Sequence, residues 1–398
     1  MVVTAVTVTN ASAEQSSTRG ATNASRSDVA IKTTTLSTTS LVNVAFLNQT
    51  HGYGVVRAQG PVTCGDAVAR ASDGRSTFSA PVPVVSWSCN NDEPVSTLAF
   101  DSHGDGFVHG PQLFITHNAG ATWTRGDQPE PVFSVVALGS SIWMWEATRP
   151  VPTSASRFKI PLRLLSSSDG GRTWSVLPSP AGADLQSATG LLSTALVRVN
   201  RTSAYVTTNA GQSIGLRTFA TPLWFTNDAG VTWSSHPNPC GGYSTTLSAA
   251  PDGTLFDVCA SEPGTGEQMK ETLRYREQGR RWQIRSWCPL KSVTTHCTTG
   301  SQVSSYVDQI HAVSDLTVFL VGDRSSLEVT RDGGVTWSVV ARGLGGDAGG
   351  TFQVILFNAT SGIVFGDGEG PNAGDFGQTL WSTSDGGVHW ATHHPHVT

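Results

Sequence analysis

The sequence predicts an all-β fold: a single seven-bladed β-propeller built of four-stranded antiparallel blades. Three observations predict it. An eight-residue pattern returns at near-regular intervals along the chain. The segments between its copies are short, apolar and alternating, as strands are. The composition is turn-rich, with 42 glycines in 398 residues and only 14% charged residues, and no stretch reads as a useful amphipathic helix.

The pattern is clearest at Ser167–Trp174, Thr226–Trp233 and Thr330–Trp337, which read Ser/Thr-x-Asp-x-Gly-x-Thr-Trp. Thr116–Trp123 has Asn118 in place of the acid, and Thr383–Trp390 has His389 in place of the threonine. Ala71–Phe78 and Tyr275–Trp282 are degenerate copies that keep Asp73 or Glu277 and a terminal aromatic. The starts at 71, 116, 167, 226, 275, 330 and 383 are separated by 45, 51, 59, 49, 55 and 53 residues. An all-β repeat of that length implies a propeller with one blade per repeat.

Each repeat divides the same way. The expected first strands are Leu41–Phe46, Val95–Phe100, Val132–Leu138, Leu191–Val197, Tyr243–Ser248, Gln309–Val313 and Phe352–Phe357. The expected second strands are Gly54–Arg57, Gly106–His109, Ile142–Glu146, Ala204–Thr207, Leu255–Val258, Val318–Val321 and Ile363–Phe365. A variable loop then leads to the third strand, the eight-residue turn and the fourth strand. In this turn the acid (Asp73, Asn118, Asp169, Asp228, Glu277, Asp332 or Asp385) accepts hydrogen bonds from the turn's own N–H groups. The glycine supplies a positive φ, and the tryptophan begins the outer strand and buries its ring. These seven positions are expected to be structural.

The propeller is expected to span residues 41–393. Residues 1–40 read as a signal-peptide remnant or a disordered Ser/Thr-rich leader, and 394–398 as a C-terminal tail. No run reaches the roughly 18 apolar residues of a membrane helix. A net charge of −5 gives no attraction to nucleic acid or to an anionic membrane. The six cysteines, without a Cys-x-x-Cys, suit an oxidising compartment. Placed on the blades, they favour sequential bridges Cys64–Cys89, Cys240–Cys259 and Cys288–Cys297 on one face. The expectation is a secreted, cell-surface or periplasmic monomer.

The eight-residue pattern resembles the Asp box, or bacterial neuraminidase repeat, of the sialidase-like superfamily. In those families the boxes sit on the rim, away from the ligand. Phe46-Leu-Asn-Gln-Thr-His-Gly52-Tyr-Gly54, and Val321-Gly322 ahead of Thr330–Trp337, are similar in style to the photosystem II assembly-factor type of seven-bladed propeller. That resemblance spans 41–393 and implies a protein-binding, extracytoplasmic propeller. The arginine-rich patch of that family is not visible in this chain. Phe158-Lys159-Ile160-Pro161 is similar to the Phe-Arg-Ile-Pro motif of sialidases. A lysine, however, cannot reproduce the arginine fork on a carboxylate, and the motif lies in the third repeat instead of before the first box.

Any site is expected where second strands end, on the face opposite the boxes: Arg57, His109, Glu146, Thr207, Cys259, Asp323 and Asp367. Uneven loops there build a cleft, and Trp145 and Trp287 on or beside them are candidate ligand contacts with Arg57 and His109. The expected function is non-catalytic recognition of a protein or a glycan, without nucleic acid and without a cofactor. The alternative is a glycoside hydrolase, with Glu146, Asp323 and Asp367 as its candidate carboxylates. The acidic loop Asp367–Asp375 and the histidines 393, 394 and 396 are read as loop and tail, so no metal is expected. Sequons at Asn48, Asn200 and Asn358 matter where the host glycosylates.

Overall fold

The computed structural model describes residues 38–397 except 74–75, 90–95, 129–130, 151–157, 188–193, 209–221, 241–243, 262–268, 277–280, 288–306, 323–325, 343–352 and 368–377. Every regular element among these residues is a strand, and the strands form seven sheets. Their first strands are Thr38–Asn48, Thr97–Phe100, Val132–Leu138, Thr194–Arg198, Ser244–Ala249, Val307–Ala312 and Gln353–Leu356. Five sheets are four-stranded antiparallel ladders; the first sheet has six strands and the third has five. First strands of consecutive sheets touch in chain order, and that of the seventh touches that of the first. The fold is therefore a β-propeller of antiparallel, mostly four-stranded blades.

The alternation along each strand sends side chains into both neighbouring seams. Trp143, Trp145 and Leu164 of the third sheet pack with Leu196, Val206 and Trp224 of the fourth. Phe46 and Phe78 of the first pack with Ile363, Phe365 and Leu380 of the seventh. Each such buried large side chain contributes about 1.5–3 kcal/mol, so the core is a circle of seams and not a single centre.

Polar side chains on the first strands clasp sheet to sheet. Asn43 Oδ1 accepts the Leu98 N–H at 3.0 Å, Ser248 Oγ the Ala312 N–H at 2.9 Å, and Gln309 Oε1 the Val354 N–H at 2.9 Å. Gln353 Oε1 accepts the Val44 N–H at 2.8 Å and closes the circle. Closure has a second component. His396–Val397 lies parallel to Thr77–Phe78 of the first sheet, and the His396 N–H donates to the Ser76 carbonyl at 2.8 Å. These two residues, expected as part of a tail, form a short strand because the outer edge of the first sheet offers them unpaired backbone groups.

The five turns that begin with a serine or threonine show one geometry. In Thr226–Trp233, Asp228 Oδ1 accepts the Thr232 N–H at 2.9 Å and Oδ2 accepts the Thr232 hydroxyl at 2.6 Å. The Thr226 hydroxyl donates to Asp228 Oδ1 at 2.8 Å and accepts the Gly230 N–H at 3.0 Å. Two consecutive residues take positive φ, Ala229 at 60° and Gly230 at 84°; the sequence pattern had suggested one. The Ala229 N–H donates to the Thr202 carbonyl in the first hairpin turn of the same sheet at 2.8 Å. Gly333 with Leu316 and Gly386 with Thr360 repeat that bond, also at 2.8 Å.

The turns also latch neighbouring sheets. Arg172 in the third-sheet turn makes a two-pronged pair with Asp105 of the second, both contacts 3.1 Å. Trp233 Nε1 donates to the Pro178 carbonyl at 2.8 Å. Arg198, fully buried, donates to the Ser141 carbonyl at 2.7 Å and lies 4.5 Å over the Trp143 ring. Burial lowers its pKa to about 9.

Candidate functional site

Antiparallel hairpins place both tight turns of a sheet at one end, so the ends of the second strands lie on the opposite, loop-bearing face. In the first sheet, strand His51–Gln59 carries Arg57 to that end. Arg57 Nε and Nη2 donate to Asp66 Oδ1 and Oδ2 at 2.9 and 3.1 Å, and both residues are buried. The guanidinium lies 5.4 Å from the centre of the Trp87 ring. Close by, Cys64–Cys89 ties the third strand to Val82–Ser88.

His109 ends the second strand of its sheet and is 1% exposed. Its Nδ1 lies 3.3 Å from the Val132 carbonyl, and Nε2 has no partner among the described residues. Burial disfavours the imidazolium more than the Val132 carbonyl supports it, and the pKa falls to about 4. The ring is therefore neutral at pH 7, with the Nδ1 proton directed at the carbonyl.

Glu146 ends the second strand of the third sheet, wholly buried, and its Oε1 accepts from Arg163 Nε at 2.7 Å and from Arg163 Nη2. The two residues are opposed in register. Glu146 shares a strand face with Ile142 and Met144, and His109 shares one with Phe107; these apolar residues form one cluster. His109 and Glu146 thus border the same seam, between the second and third sheets. A carboxylate buried against a guanidinium holds two strands in register, and a general acid or base needs access to the substrate proton.

Trp145, the candidate ligand contact beside Glu146, is 0% exposed and packs in the seam between the third and fourth sheets. Strand alternation accounts for this, since Glu146 faces one seam and Trp145 the other. Thr207 is buried, its hydroxyl donating to the Pro222 carbonyl at 3.2 Å. Cys259 is bonded to Cys240, whose Sγ lies 3.2 Å from Oδ2 of the buried Asp257. Asp367 ends strand Gly362–Asp367 opposite Gln378, and Trp287 ends Arg281–Trp287 opposite Glu271; their side chains lie outside the described residues. So do Asp323, Glu277 and the expected Cys288–Cys297 bridge.

The third sheet rises above this face. Strand Phe158–Ser167 continues past its partner, and Phe158–Pro161 pairs with Asp184–Ser187. Lys159 Nζ reaches Asp184 Oδ2 at 2.8 Å and remains 63% exposed. The segment that resembles the sialidase motif is thus one strand of a raised rib. Sequence reading missed Asp66, Trp87, Arg163 and Asp257. For Asp66 and Arg163, the residue opposite a candidate in a hairpin register was the usable signal.

No family model and no curated protein matches the chain. Among solved structures it is similar to an ulvan lyase of polysaccharide lyase family PL25, at TM-score 0.54 and 11% identity over 90% of this chain and 96% of that one. An ancestral GH74 enzyme gives TM-score 0.53 and 13% identity, with 89% of this chain covered and 46% of that one. YCF48 bound to D1 peptide gives TM-score 0.48 and 16% identity, over 75% and 81% of the two chains. At these identities the likeness to the lyase and to the GH74 enzyme is one of fold. No helix among the described residues is long and apolar enough to cross a membrane.

Proposed function

We propose that residues 41–393 form one seven-bladed Asp-box propeller that acts outside the cytoplasm as a non-catalytic recognition module. It binds a protein or a glycan through the loop-bearing face. The observation that carries the reading is the state of the described polar ring. Glu146 is buried against Arg163, Arg57 is paired with Asp66, and His109 is buried and neutral. These groups hold strands together and are not presented to a substrate. The raised rib of the third sheet and the two bridges Cys64–Cys89 and Cys240–Cys259 give the face relief and fixed loops, and such bridges suit an oxidising compartment.

The test is a screen of the purified chain for turnover of sialosides, xyloglucan and aryl glycosides, run beside a glycan-binding array and a peptide library. Binding without turnover, weakened by Trp287→Ala, is the expected outcome. Turnover abolished by Asp323→Asn or Asp367→Asn refutes the proposal and makes the chain a glycoside hydrolase.

A further inference from the structure

The face that carries the eight-residue turns holds a second recurring arrangement, in the hairpins between first and second strands. Three of these turns are closed by an asparagine. Asn48 Oδ1 accepts the Thr50 N–H and hydroxyl, both at 2.9 Å. Asn200 Oδ1 accepts the Thr202 N–H at 2.8 Å and its hydroxyl at 3.0 Å, and the Ser203 N–H at 2.8 Å. Asn358 Oδ1 accepts the Thr360 N–H at 2.9 Å and its hydroxyl at 2.8 Å, and the Ser361 N–H at 2.8 Å.

The fold does not require asparagine there. In the same hairpin of other sheets Asp101 Oδ1 accepts the His103 N–H at 2.8 Å, Asp252 Oδ1 the Thr254 N–H at 2.9 Å, and Ser314 Oγ the Leu316 N–H at 3.2 Å. Any short side-chain oxygen closes the turn. Yet each asparagine is followed two residues later by threonine, the acceptor sequence for N-linked glycans. All three asparagines and all three threonines are exposed. The Nδ2 amides make no hydrogen bond among the described residues, so the nucleophilic atom points free while Oδ1 holds the turn.

We propose that Asn48, Asn200 and Asn358 are N-glycosylation acceptors. The co-substrate is an oligosaccharide carried on a lipid pyrophosphate. Nδ2 forms a bond to C1 of its first sugar, the bond from C1 to the pyrophosphate oxygen breaks, and the lipid pyrophosphate leaves. The Nδ2 proton passes to a carboxylate of the transferase. Oδ1 is untouched, so every turn bond named above survives the modification. The glycans then stand on the turn face of the first, fourth and seventh sheets and leave the loop-bearing face uncovered. This inference rests on export, and not on what the loop face binds.

The test is expression of the full chain behind a secretory signal in a human cell line. Secreted and cell-associated pools are both digested with peptide-N-glycosidase in heavy-oxygen water and mapped by mass spectrometry. Conversion of Asn48, Asn200 and Asn358 to labelled aspartate is expected. Unmodified asparagines at all three positions in both pools overturn the proposal and leave them as turn residues only. Asn48→Asp, Asn200→Asp and Asn358→Asp keep the Oδ1 acceptor, as Asp101 and Asp252 do. Each variant should lose one site and keep the parent melting temperature. Binding of a loop-face ligand by the triple variant reports on the proposed function separately.

Discussion

Asp332 offers the sharpest test of what holds the repeated turns. Its Oδ1 accepts the Val335 N–H at 3.0 Å and the Thr336 N–H at 2.9 Å, and the Thr330 hydroxyl donates to it at 2.8 Å. Oδ2 accepts the Thr336 hydroxyl at 2.6 Å. Asp332→Ala removes the acceptor for two backbone N–H groups and two hydroxyls. Thr336 is exposed and re-solvates, while Thr330 is fully buried and does not. The loss should be about 1–3 kcal/mol. Asp332→Asn is the control, because the second sheet already uses an amide there. Asn118 Oδ1 accepts the Thr122 N–H at 2.9 Å, and Nδ2 donates to the Thr122 hydroxyl at 2.8 Å. That variant should lose less than about 1 kcal/mol. Wild type also separates from both variants with pH. Burial opposes ionisation of Asp332, but the bonds from Thr336, Thr330 and Val335 outweigh it and hold the carboxyl below its ordinary range. Its contribution is then present above the unfolded value of about 3.9 and is lost as pH falls through the folded one. Denaturant unfolding at pH 7 and across the range below 4 measures both effects. An Asn variant as unstable as the Ala variant, or a gap between wild type and Asp332→Asn that widens in acid, refutes the reasoning.

Gly386→Ala and Gly170→Ala probe the same position of two different turns. Ala119 and Ala229 already occupy it at φ 55° and 60°, so Gly386→Ala, whose Cβ would meet the Ala359 carbonyl oxygen at 3.1 Å, should lose the left-handed penalty of about 1–2 kcal/mol and shift that carbonyl slightly. A Cβ on Gly170 would lie 1.8 Å from Asp105 Oδ2, so Gly170→Ala should destabilise by clearly more and release Arg172; equal losses in a thermal melt contradict the latch. Non-reducing peptide mapping should recover Cys288–Cys297 as a third bridge beside Cys64–Cys89 and Cys240–Cys259, and free thiols at those two positions refute that pairing.

The fold was legible because its signal is local and repeated. Carboxylate, positive-φ glycine and ring must sit within eight residues for the turn to close, so the sequence displays them together. Strand positions followed from alternation, and first strands such as Val132–Leu138 agree at both ends. The two bridges that the structure describes are also the expected ones. Closure of the ring was not legible, since two residues at 396–397 carry no periodicity. Burial at the loop face was hidden for another reason. His109 and Glu146 look alike in sequence whether they line a cleft or a seam. Their state is decided by Val132 and Arg163, 23 and 17 residues further on. Trp145 was misplaced by one step of alternation, which moves a side chain from one seam to the next.

The two ends of the sheets are held together differently. At the turn end, the turn carboxylates and first-hairpin caps satisfy backbone groups within a few residues, and contacts such as Asp105–Arg172 bind one sheet to the next. Asp228 and Asp385 are held near pKa 2, mainly by bonds from Thr232 and from His389, so these two carboxylates are ionised at neutral pH. At the loop end Arg57–Asp66, Glu146–Arg163 and Lys159–Asp184 pair across strands, and their hydrogen bonds fix strand ends from which loops depart. Loop lengths can then vary without disturbing the ring. Variable loops on fixed strand ends suit the proposed recognition role. A substitution in those loops should therefore change what is bound while leaving the unfolding transition in place.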